Sequence, residues 1–152
     1  MTFEEKVERL SAIEDIKQLK ARYCQLCDAG YDPDGIAAMF VEDGVWDGGE
    51  NFGCHVGREA IHGFFSGISN DIVFAAHLVL NPIITVDGDT ANGKWWLIMP
   101  CTTELGGGPK EARWLLAEYD DDYVRVDGTW YYKHLRIDLK FFTPHKDGWV
   151  ET

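Results

Sequence analysis

The second half of the chain is built from long strand-forming stretches, and this feature restricts the possible folds more than any other. Val, Ile, Leu and aromatic residues dominate four stretches, at residues 72–86, 91–103, 111–126 and 129–143. The last stretch alternates, with Leu135, Ile137, Leu139 and Phe141 predicted on one face and His134, Arg136, Asp138 and Lys140 on the other. Asn81-Pro82 indicates a bulge or an edge position, and Asp127-Gly128 indicates a tight hairpin. A mainly antiparallel sheet is therefore predicted.

The first thirty residues instead follow the period of an amphipathic helix. Apolar side chains recur every three or four residues, at Val7, Leu10, Ile13, Ile16, Leu19, Tyr23 and Leu26. Asp28 falls in the last turn, and Gly30 suits the left-handed position that follows a helix. Two shorter helices are predicted at residues 35–41 and 57–65, with a short strand at 45–47 between them.

Helices that precede a run of antiparallel strands are typical of the α+β class. We therefore expect one domain over residues 1–152, with the helices packed on a strongly curved sheet. Such a sheet leaves a cone-shaped cavity between itself and the helices, which is a natural site for a small molecule.

Composition excludes several classes of partner. The chain has 152 residues, of which 45% are apolar, and a net charge of −12. This charge argues against nucleic acid and anionic membrane surfaces as partners. No apolar run approaches the ~20 residues of a membrane-spanning helix, and the N-terminal residues do not resemble a signal peptide. A cytoplasmic protein is expected.

The four cysteines do not indicate a metal or disulfide framework. Cys24 and Cys27 form a C-x-x-C pair, but they lie inside the helical pattern. Neither Cys54 nor Cys101 belongs to a second pair, and no His-x-x-His completes a tetrahedral zinc site. Structural thiols and no bound metal are expected.

Some strands are apolar on both faces, which predicts an assembly of several copies. Trp95 and Trp96 are adjacent, and so are Trp114, Leu115 and Leu116. One face of these strands can line the cavity, whereas the other needs a cover, and a second copy of the chain supplies one. A homo-oligomer, either a dimer or a trimer, is expected.

Asp28 and His77 are the residues whose positions ask for a chemical reason. A carboxylate in the last turn of a helix is repelled by the negative end of the helix dipole unless a donor compensates it, although a solvated turn residue is the alternative. His77 lies among apolar neighbours, where its alternative is a half-exposed strand histidine. An Asp that accepts from one ring nitrogen leaves the other nitrogen basic, and this Asp–His dyad is a general base.

Sequence motifs spread over nearly the whole chain resemble the SnoaL-like branch of the nuclear-transport-factor-2-like superfamily, and especially its scytalone dehydratase-like lyases. The matching pieces are I-x-x-L-K-x-x-Y-x-x-x-x-D at residues 16–28, E-D-x-V-W at 42–46, G-R-E-A-I at 57–61, H-x-x-x-N-P at 77–82, Y-x-R-x-D-G-x-W at 123–130 and F-F-T-P at 141–144. The resemblance implies a cone-shaped α+β barrel of the cystatin-like type.

The resemblance also implies a function and a set of site residues. Scytalone dehydratase, hexachlorocyclohexane dehydrochlorinase and bile-acid 7α-dehydratase are all eliminating enzymes that use no cofactor. By this resemblance His77 is the base, Asp28 orients it, and Tyr23 donates to a leaving group or an oxyanion. The implied substrate-binding wall consists of Trp46, Tyr119, Leu135 and Leu139, to which we add Asn81 and Met99. For all of these except the dyad, simple core packing is the alternative.

The sequence departs from the family at one point, since the second catalytic His of scytalone dehydratase has no equivalent among Trp114, Leu116 and Glu118. We expect a cofactor-independent lyase for a small apolar, cyclic or aromatic metabolite, with water, halide or formaldehyde as the leaving group. An isomerase or cyclase that uses the same base is the first alternative. A non-catalytic ligand-binding or accessory module is the second.

Overall fold

Four helices lie against one face of a seven-stranded sheet in the computed structural model, which describes residues 1–150. The helices are α1 (Phe3–Asp28), α2 (Pro33–Ala37), α3 (Gly49–Phe52) and α4 (Arg58–Phe65). The strands are β1 (Phe40–Asp47), β2 (Cys54–Val56), β3 (Ile72–Ala75), β4 (Leu78–Asp87), β5 (Thr90–Thr103), β6 (Glu111–Val126) and β7 (Thr129–Pro144). No helix within residues 1–150 is both long enough and apolar enough to span a membrane.

The sheet is mixed but mainly antiparallel. Its strand order is β2-β1-β7-β6-β5-β3, and β4 pairs with β5 on the same edge as β3. Only the pairing of β1 with β7 is parallel among the strands described. The predicted α+β class is confirmed, whereas the strong curvature of the sheet stays a prediction.

The long helix α1 begins and ends as its sequence predicts. Thr2 and Glu5 form a capping box at its start, and Gly30 follows its last turn with a φ of 102°. Ile16, Leu19 and Tyr23 are buried against the sheet. Val7 and Leu10 were expected in the same buried stripe, but both are exposed in the first turns of the helix.

The boundary between α2 and β1 differs from the prediction. The helix expected at residues 35–41 ends at Ala37, and the strand expected at 45–47 already begins at Phe40. The reason is tertiary, because Phe40 pairs with Tyr132 of β7 and stacks on its ring at 5.0 Å. This long-range pairing outweighs the local helical pattern.

The stretch predicted as one strand at residues 72–86 is two strands, β3 and β4, separated by Ala76 and His77. The backbone N–H of His77 donates to the carboxylate of Asp28 instead of to a neighbouring strand. The bulge predicted at Asn81-Pro82 is confirmed, since the register of β4 shifts between Leu80 and Ile83 and Asn81 has a φ of 53°.

The final hairpin is confirmed at Asp127-Gly128, where both residues have positive φ. However, β7 does not keep one alternation throughout, because its register against β6 shifts twice. Beyond the second shift Phe142 packs on the core, whereas Phe141 pairs with Leu116 and stacks on Trp149. The prediction that Phe141 shares the face of Leu135 is therefore wrong, because a bulge reverses the faces of a strand.

Candidate active site

The end of α1 and the start of β4 bring Asp28 and His77 into contact. The Nδ1 atom of His77 lies 2.6 Å from Oδ1 of Asp28. The backbone N–H of His77 donates to both carboxylate oxygens, at 3.0 and 3.1 Å. The His77 side chain is 7% exposed and that of Asp28 is 33% exposed. The pair therefore lies at the border between the protein interior and solvent.

These contacts explain the carboxylate at the negative end of a helix. The negative end of the helix dipole repels the Asp28 carboxylate. Hydrogen bonds from the backbone N–H and the Nδ1 atom of His77 offset this repulsion. A carboxylate can only accept, so the Nδ1 atom of His77 must carry the proton of the shared bond. The geometry thus fixes the tautomer in which Nε2 is the basic nitrogen.

The histidine of this pair lies in the wall of an aromatic cavity. Within residues 1–150 the Nε2 atom of His77 has no hydrogen-bond partner from the protein. His77 contributes to the wall of a cavity of about 40 Å³, and the other lining residues are Tyr23, Tyr31, Trp46, Phe52, Phe64, Phe65, Ile68, Ile72, Leu97, Met99, Leu115, Tyr119 and Ile137. This volume holds about one water molecule, so a larger ligand requires the wall to move.

Part of the wall separates this cavity from an open groove of about 450 Å³. Phe52, Phe64, Ile68 and Ile72 line both spaces. Phe52 belongs to α3, a single helical turn preceded by Gly48 and followed by Gly53. The groove therefore offers a route by which a ligand can reach His77.

Tyr23 and Trp46 form a second polar contact in the cavity wall. The indole N–H of Trp46 donates to the hydroxyl oxygen of Tyr23 at 2.9 Å. Burial raises the pKa of Tyr23 well above its ordinary value, so the phenol stays protonated. Its oxygen accepts from Trp46, and its own O–H can donate either to the Cys27 sulfur or to a ligand.

The ring of Trp46 fits its place only because residue 48 is glycine. A Cβ atom on Gly48 would lie 2.6 Å from the Trp46 ring and 2.5 Å from Cβ of Phe52. The indole also packs on the ring of Phe64, with a centroid distance of 4.6 Å. The glycine-rich loop thus permits the aromatic wall to close over the cavity.

Tyr31 is a cavity residue that sequence reasoning missed. Its ring lies edge-on to the His77 imidazole at 6.2 Å and stacks on Phe65 at 6.0 Å. Its φ of 62° is unusual for a non-glycine residue. The turn after α1 therefore holds a strained residue beside the dyad, and its place next to Gly30 was the only available signal.

The structure brings together some of the predicted site residues and separates others. Asp28 contacts His77, while Tyr23, Trp46, Met99 and Tyr119 line the same cavity as His77. Leu135 and Leu139 do not line it: Leu135 is fully buried in the core and Leu139 packs against the core. Asn81 is exposed and lines a different cavity, which shares Tyr119 and Ile137 with that of His77.

Leu135 and Leu139 were assigned to the wall by the resemblance to the family, whereas Asn81 was assigned by its strand period from His77. The bulge at Asn81 turns its side chain away from His77. Ile137, which lies between Leu135 and Leu139 on β7, is the residue of that strand that reaches the cavity.

The part of the chain that the structure describes contains neither a metal-binding cluster nor a disulfide bond. No group of three or more His, Cys, Asp or Glu side chains there is arranged to hold a metal ion. Cys24, Cys27, Cys54 and Cys101 are all free thiols. The even-numbered positions of β6 point away from the cavity, so Trp114, Leu116 and Glu118 face outward while Leu115 and Tyr119 line the cavity wall.

Comparison with known families agrees with this architecture. Residues 8–136 match the family described as the SnoaL-like domain. The chain belongs to the SnoaL-like family. This SnoaL-like protein has the fold that its motifs predicted, and its solved neighbours include an NTF2-like protein with a cystatin-like fold from Novosphingobium aromaticivorans. That neighbour is 24% identical, with a TM-score of 0.66, over 91% of this chain and 90% of the other.

Two further neighbours carry enzyme names. A protein from Novosphingobium aromaticivorans, provisionally assigned as a scytalone dehydratase, is 25% identical over 89% of this chain and 88% of its own, with a TM-score of 0.79. A hexachlorocyclohexane dehydrochlorinase from Novosphingobium barchaimii is 21% identical over 91% and 93% of the two chains, with a TM-score of 0.80.

The similarity to these solved structures establishes the fold but not the activity. At 21% identity the dehydrochlorinase shows the fold alone, and another solved neighbour is a protein of unknown function. A search among curated proteins gives no match. The activity must therefore be argued from the site.

Proposed function

We propose that this SnoaL-like protein is a cofactor-independent lyase that acts on a small apolar, cyclic or aromatic compound. The observation that carries the proposal is the Asp28–His77 pair, because His77 lines an aromatic cavity and its second ring nitrogen has no protein partner within residues 1–150. A binding module has no need of a carboxylate that fixes the tautomer of a histidine at the ligand. A general base needs this arrangement.

The reaction uses His77 as the base and Tyr23 as a donor. Nε2 of His77 takes a proton from a substrate carbon, the electron pair of that C–H bond forms a C=C bond, and the group on the neighbouring carbon leaves with its bonding pair. The Asp28 carboxylate stabilises the imidazolium that results. The Tyr23 O–H donates to the departing oxygen when water is released, whereas a halide leaves as the anion. Formaldehyde is released when His77 instead takes the proton of a β-hydroxyl group: the O–H electron pair forms the C=O bond of formaldehyde, and the C–C bond breaks with its pair passing to the substrate carbon.

The apolar wall supports the choice of substrate. Apart from His77 and three tyrosines, the cavity is lined by hydrocarbon, indole and thioether side chains. Such a wall binds rings and excludes water, which strengthens the electrostatic contacts of the dyad. Residues of this kind are consistent with the enzyme names of two solved neighbours, a dehydratase and a dehydrochlorinase.

The test is a mass-resolved assay with two probes, hexachlorocyclohexane and a cyclic β-hydroxyketone. A lyase product is lighter than its substrate by HCl or by water, whereas an isomerase product has the mass of its substrate. We expect loss of HCl or water with the wild-type protein, and at least a hundredfold lower rate for His77→Gln. Products of unchanged mass would replace the lyase with an isomerase.

The chain offers a matched control for the histidine substitution. His62 on α4 lies 2.9 Å from Asp34, so it too belongs to an Asp–His pair, but its side chain is exposed and does not line the cavity. His62→Gln should keep the wild-type rate. If His77→Gln and His62→Gln have equal activity, the dyad is not the base and the proposal fails.

We also propose that the protein is a homo-oligomer that associates through the outer face of its sheet. Strand register places Leu78, Ile98, Leu116 and Phe141 in one row across four strands of this face. Leu80 and Ile83 on β4 extend the row into an exposed apolar surface. Contiguous apolar surface of this kind is a feature of subunit contacts.

Light scattering coupled to size exclusion measures the mass in solution. We expect a dimer or a trimer for the wild-type protein, and a smaller species for Leu80→Lys. Val126→Lys is the control, because Val126 is 45% exposed, close to the 48% of Leu80, but lies at the far end of β6. A wild-type monomer would contradict this part of the proposal.

A further inference from the structure

The open groove beside the cavity carries a cation that the proposed reaction does not use. Within residues 1–150, Arg113 of β6 is the only positively charged residue that lines this groove. The other charged residue there is Asp71, whose Oδ1 atom accepts from the backbone N–H of Gly106 at 3.3 Å. Because the groove offers a route to His77, its charges act on any ligand that takes this route.

Strand register places Arg113 next to the cavity. Leu115 lies two residues further along β6 and lines the cavity, and so does Met99, its partner on β5. A strand rises by about 3.3 Å per residue, so the backbone of Arg113 is about 7 Å from that of Leu115. A ligand whose ring lies in the cavity can therefore reach Arg113 through a short side chain.

The guanidinium of Arg113 is held in place by neutral partners. Its Nε atom donates to the hydroxyl of Thr103 at 3.2 Å, and its Nη1 atom donates to the carbonyl oxygen of Phe142 at 3.5 Å. Its Cζ atom also lies 5.1 Å from the centre of the Phe142 ring, and the side chain is 19% exposed. A cation that is ordered before binding loses little side-chain entropy when a ligand arrives.

Arg113 already holds one carboxylate and has donors left for another. Its Nη2 atom lies 2.6 Å from Oε1 of Glu111, whose side chain is 34% exposed and does not line the groove. A guanidinium has five N–H groups, and these contacts use one on each nitrogen. Each terminal nitrogen therefore keeps a second N–H without a partner within residues 1–150, and such a planar fork suits a carboxylate.

We propose that Arg113 binds a carboxylate group of the substrate while the ring of the same molecule lies in the cavity beside His77. The substrate class is then a cyclic or aromatic carboxylic acid whose acid group stands on a short side chain. This assignment rests on the proposed lyase function. Arg113 determines specificity and orientation, since an ion pair at one end of the molecule presents the other end to His77.

A purely structural link is the alternative for Arg113, because its contacts join β5, β6 and β7. The two roles differ in what they predict for an anion. The chain has a net charge of −12 and repels anions at long range, so tight binding of an acid requires a local cation. A structural link requires no preference between an acid and a neutral ligand of the same shape.

The test compares three acids, phenylacetate, phenylpropanoate and phenylbutanoate, with their neutral primary amides. These ligands carry no leaving group, so affinities are measured without turnover, by ligand-observed NMR. Wild-type protein should bind at least one acid of the series more tightly than its amide. Arg113→Met should lower this ratio of affinities by about five- to twentyfold, because the ion pair is only partly shielded from solvent.

Arg125→Met is the matched control. Arg125 also holds two carboxylates, its Cζ atom lies 5.3 Å from the centre of the Trp130 ring, and its side chain is 23% exposed. It lines a different cavity, beside the first turns of α1. This substitution removes the same unit of charge, so it should leave the ratio within about twofold of wild type.

Two further variants separate the ion pair from a loss of folding. Arg113→Lys keeps the charge but loses the planar fork, so its ratio should lie between those of wild type and Arg113→Met. Glu111→Gln removes the competing carboxylate, so its ratio should rise above the wild-type value. An unchanged or lower ratio in Glu111→Gln would contradict the assignment.

The methyl groups of isotopically labelled methionines report where the ring of the ligand lies. Met99 lines the cavity, whereas Met39 packs on the core and lines neither the cavity nor the groove. The ring current of a bound ligand should shift the signal of Met99 and leave that of Met39 in place. The same shift with the amide in Arg113→Met would show that the cavity of this variant is intact.

The assignment is overturned if wild-type protein binds no acid more tightly than its amide, if Arg113→Met keeps the wild-type ratio, or if the acids bind without a shift of Met99. This failure is distinct from that of the lyase. If elimination depends on His77 but the ratio does not depend on Arg113, the lyase stands and the carboxylate subsite falls. If the ratio depends on Arg113 but no elimination is found, the subsite stands and the lyase falls.

Discussion

Two ion pairs on the same helix differ in how far their side chains are exposed to solvent. Lys20–Asp121 is sealed, with both side chains 0% exposed, whereas Asp28–His77 lies eight residues further along α1 at the edge of the cavity. The sealed pair satisfies itself and can influence a ligand only through the rings that cover it. The open pair keeps one nitrogen free. A charged pair at the cavity edge can contact a substrate directly, whereas a fully buried pair can contact only the protein side chains around it.

The largest expected effect is on activity at the open pair. Asp28→Asn removes the charge that stabilises the imidazolium, and His77→Ala removes the base, so each should lower the elimination rate by about 10²–10⁴-fold. The melting temperature should change less for Asp28→Asn, whose side chain is 33% exposed, than for His77→Ala, which removes a ring that is only 7% exposed. Full activity in either variant would show that the Asp28–His77 pair is not the catalytic one.

The sealed pair should show the reverse behaviour. Lys20→Met leaves the Asp121 carboxylate buried without its cation, and we expect a loss of about 3–5 kcal/mol in the free energy of unfolding, measured by urea denaturation. Adding Asp121→Leu removes the stranded charge, so the double variant should recover most of this loss. Equal stability of the single and double variants would show that the pair is not sealed.

A substitution in the cavity wall, near the Asp28–His77 pair, should lower the stability of the protein. Gly48→Ala places a Cβ atom against the rings of Trp46 and the side chain of Phe52, and it should cost about 1–3 kcal/mol through overpacking. Gly63→Ala on α4 is the control, since nothing lies within 4 Å of its added Cβ and alanine favours a helix. If both variants are equally stable, Gly48 is not needed for the closed wall.

The smallest effect concerns the thiols between the two pairs. Burial raises the pKa of Cys24 to about 11 and that of Cys27 well above its ordinary value, so neither forms thiolate at pH 8. Cys101 is buried with its pKa raised to about 11, whereas Cys54 is exposed. Iodoacetamide should therefore modify Cys54 alone in the native protein, as read by mass spectrometry. Rapid labelling of Cys27 would indicate that the cavity end of α1 opens.

Much of the fold could be predicted because local patterns and long-range contacts agree there. Residues 111–126 were predicted as a strand with the bounds that β6 has, and the turn at Asp127-Gly128 follows from its dipeptide. Prediction failed where a distant contact overrode the local pattern. Phe40 joined β1 because it pairs with β7, and residues 72–86 divided because the N–H of His77 bonds to Asp28.

Within the site, the residue types alone indicated the dyad, and the resemblance to the family supplied its pairing. Asp28 was conspicuous at the negative end of a helix, and His77 was conspicuous among apolar neighbours. Tyr31 and the cavity role of Ile137 gave no comparable signal, since a positive φ and a shifted strand register are not readable from side-chain period.

The sequence by itself determined the α+β class, the long helix with its end at Asp28, and the strands of the second half. Period and turn chemistry act within a few residues, so these features are locally encoded. Only the tertiary structure decided which faces meet: that Asn81 points away from His77, and that Lys20 closes on Asp121 and Tyr119. Lys20 and Asp121 lie 101 residues apart in the chain, and the direction of Asn81 depends on a bulge in β4, so local period encodes neither.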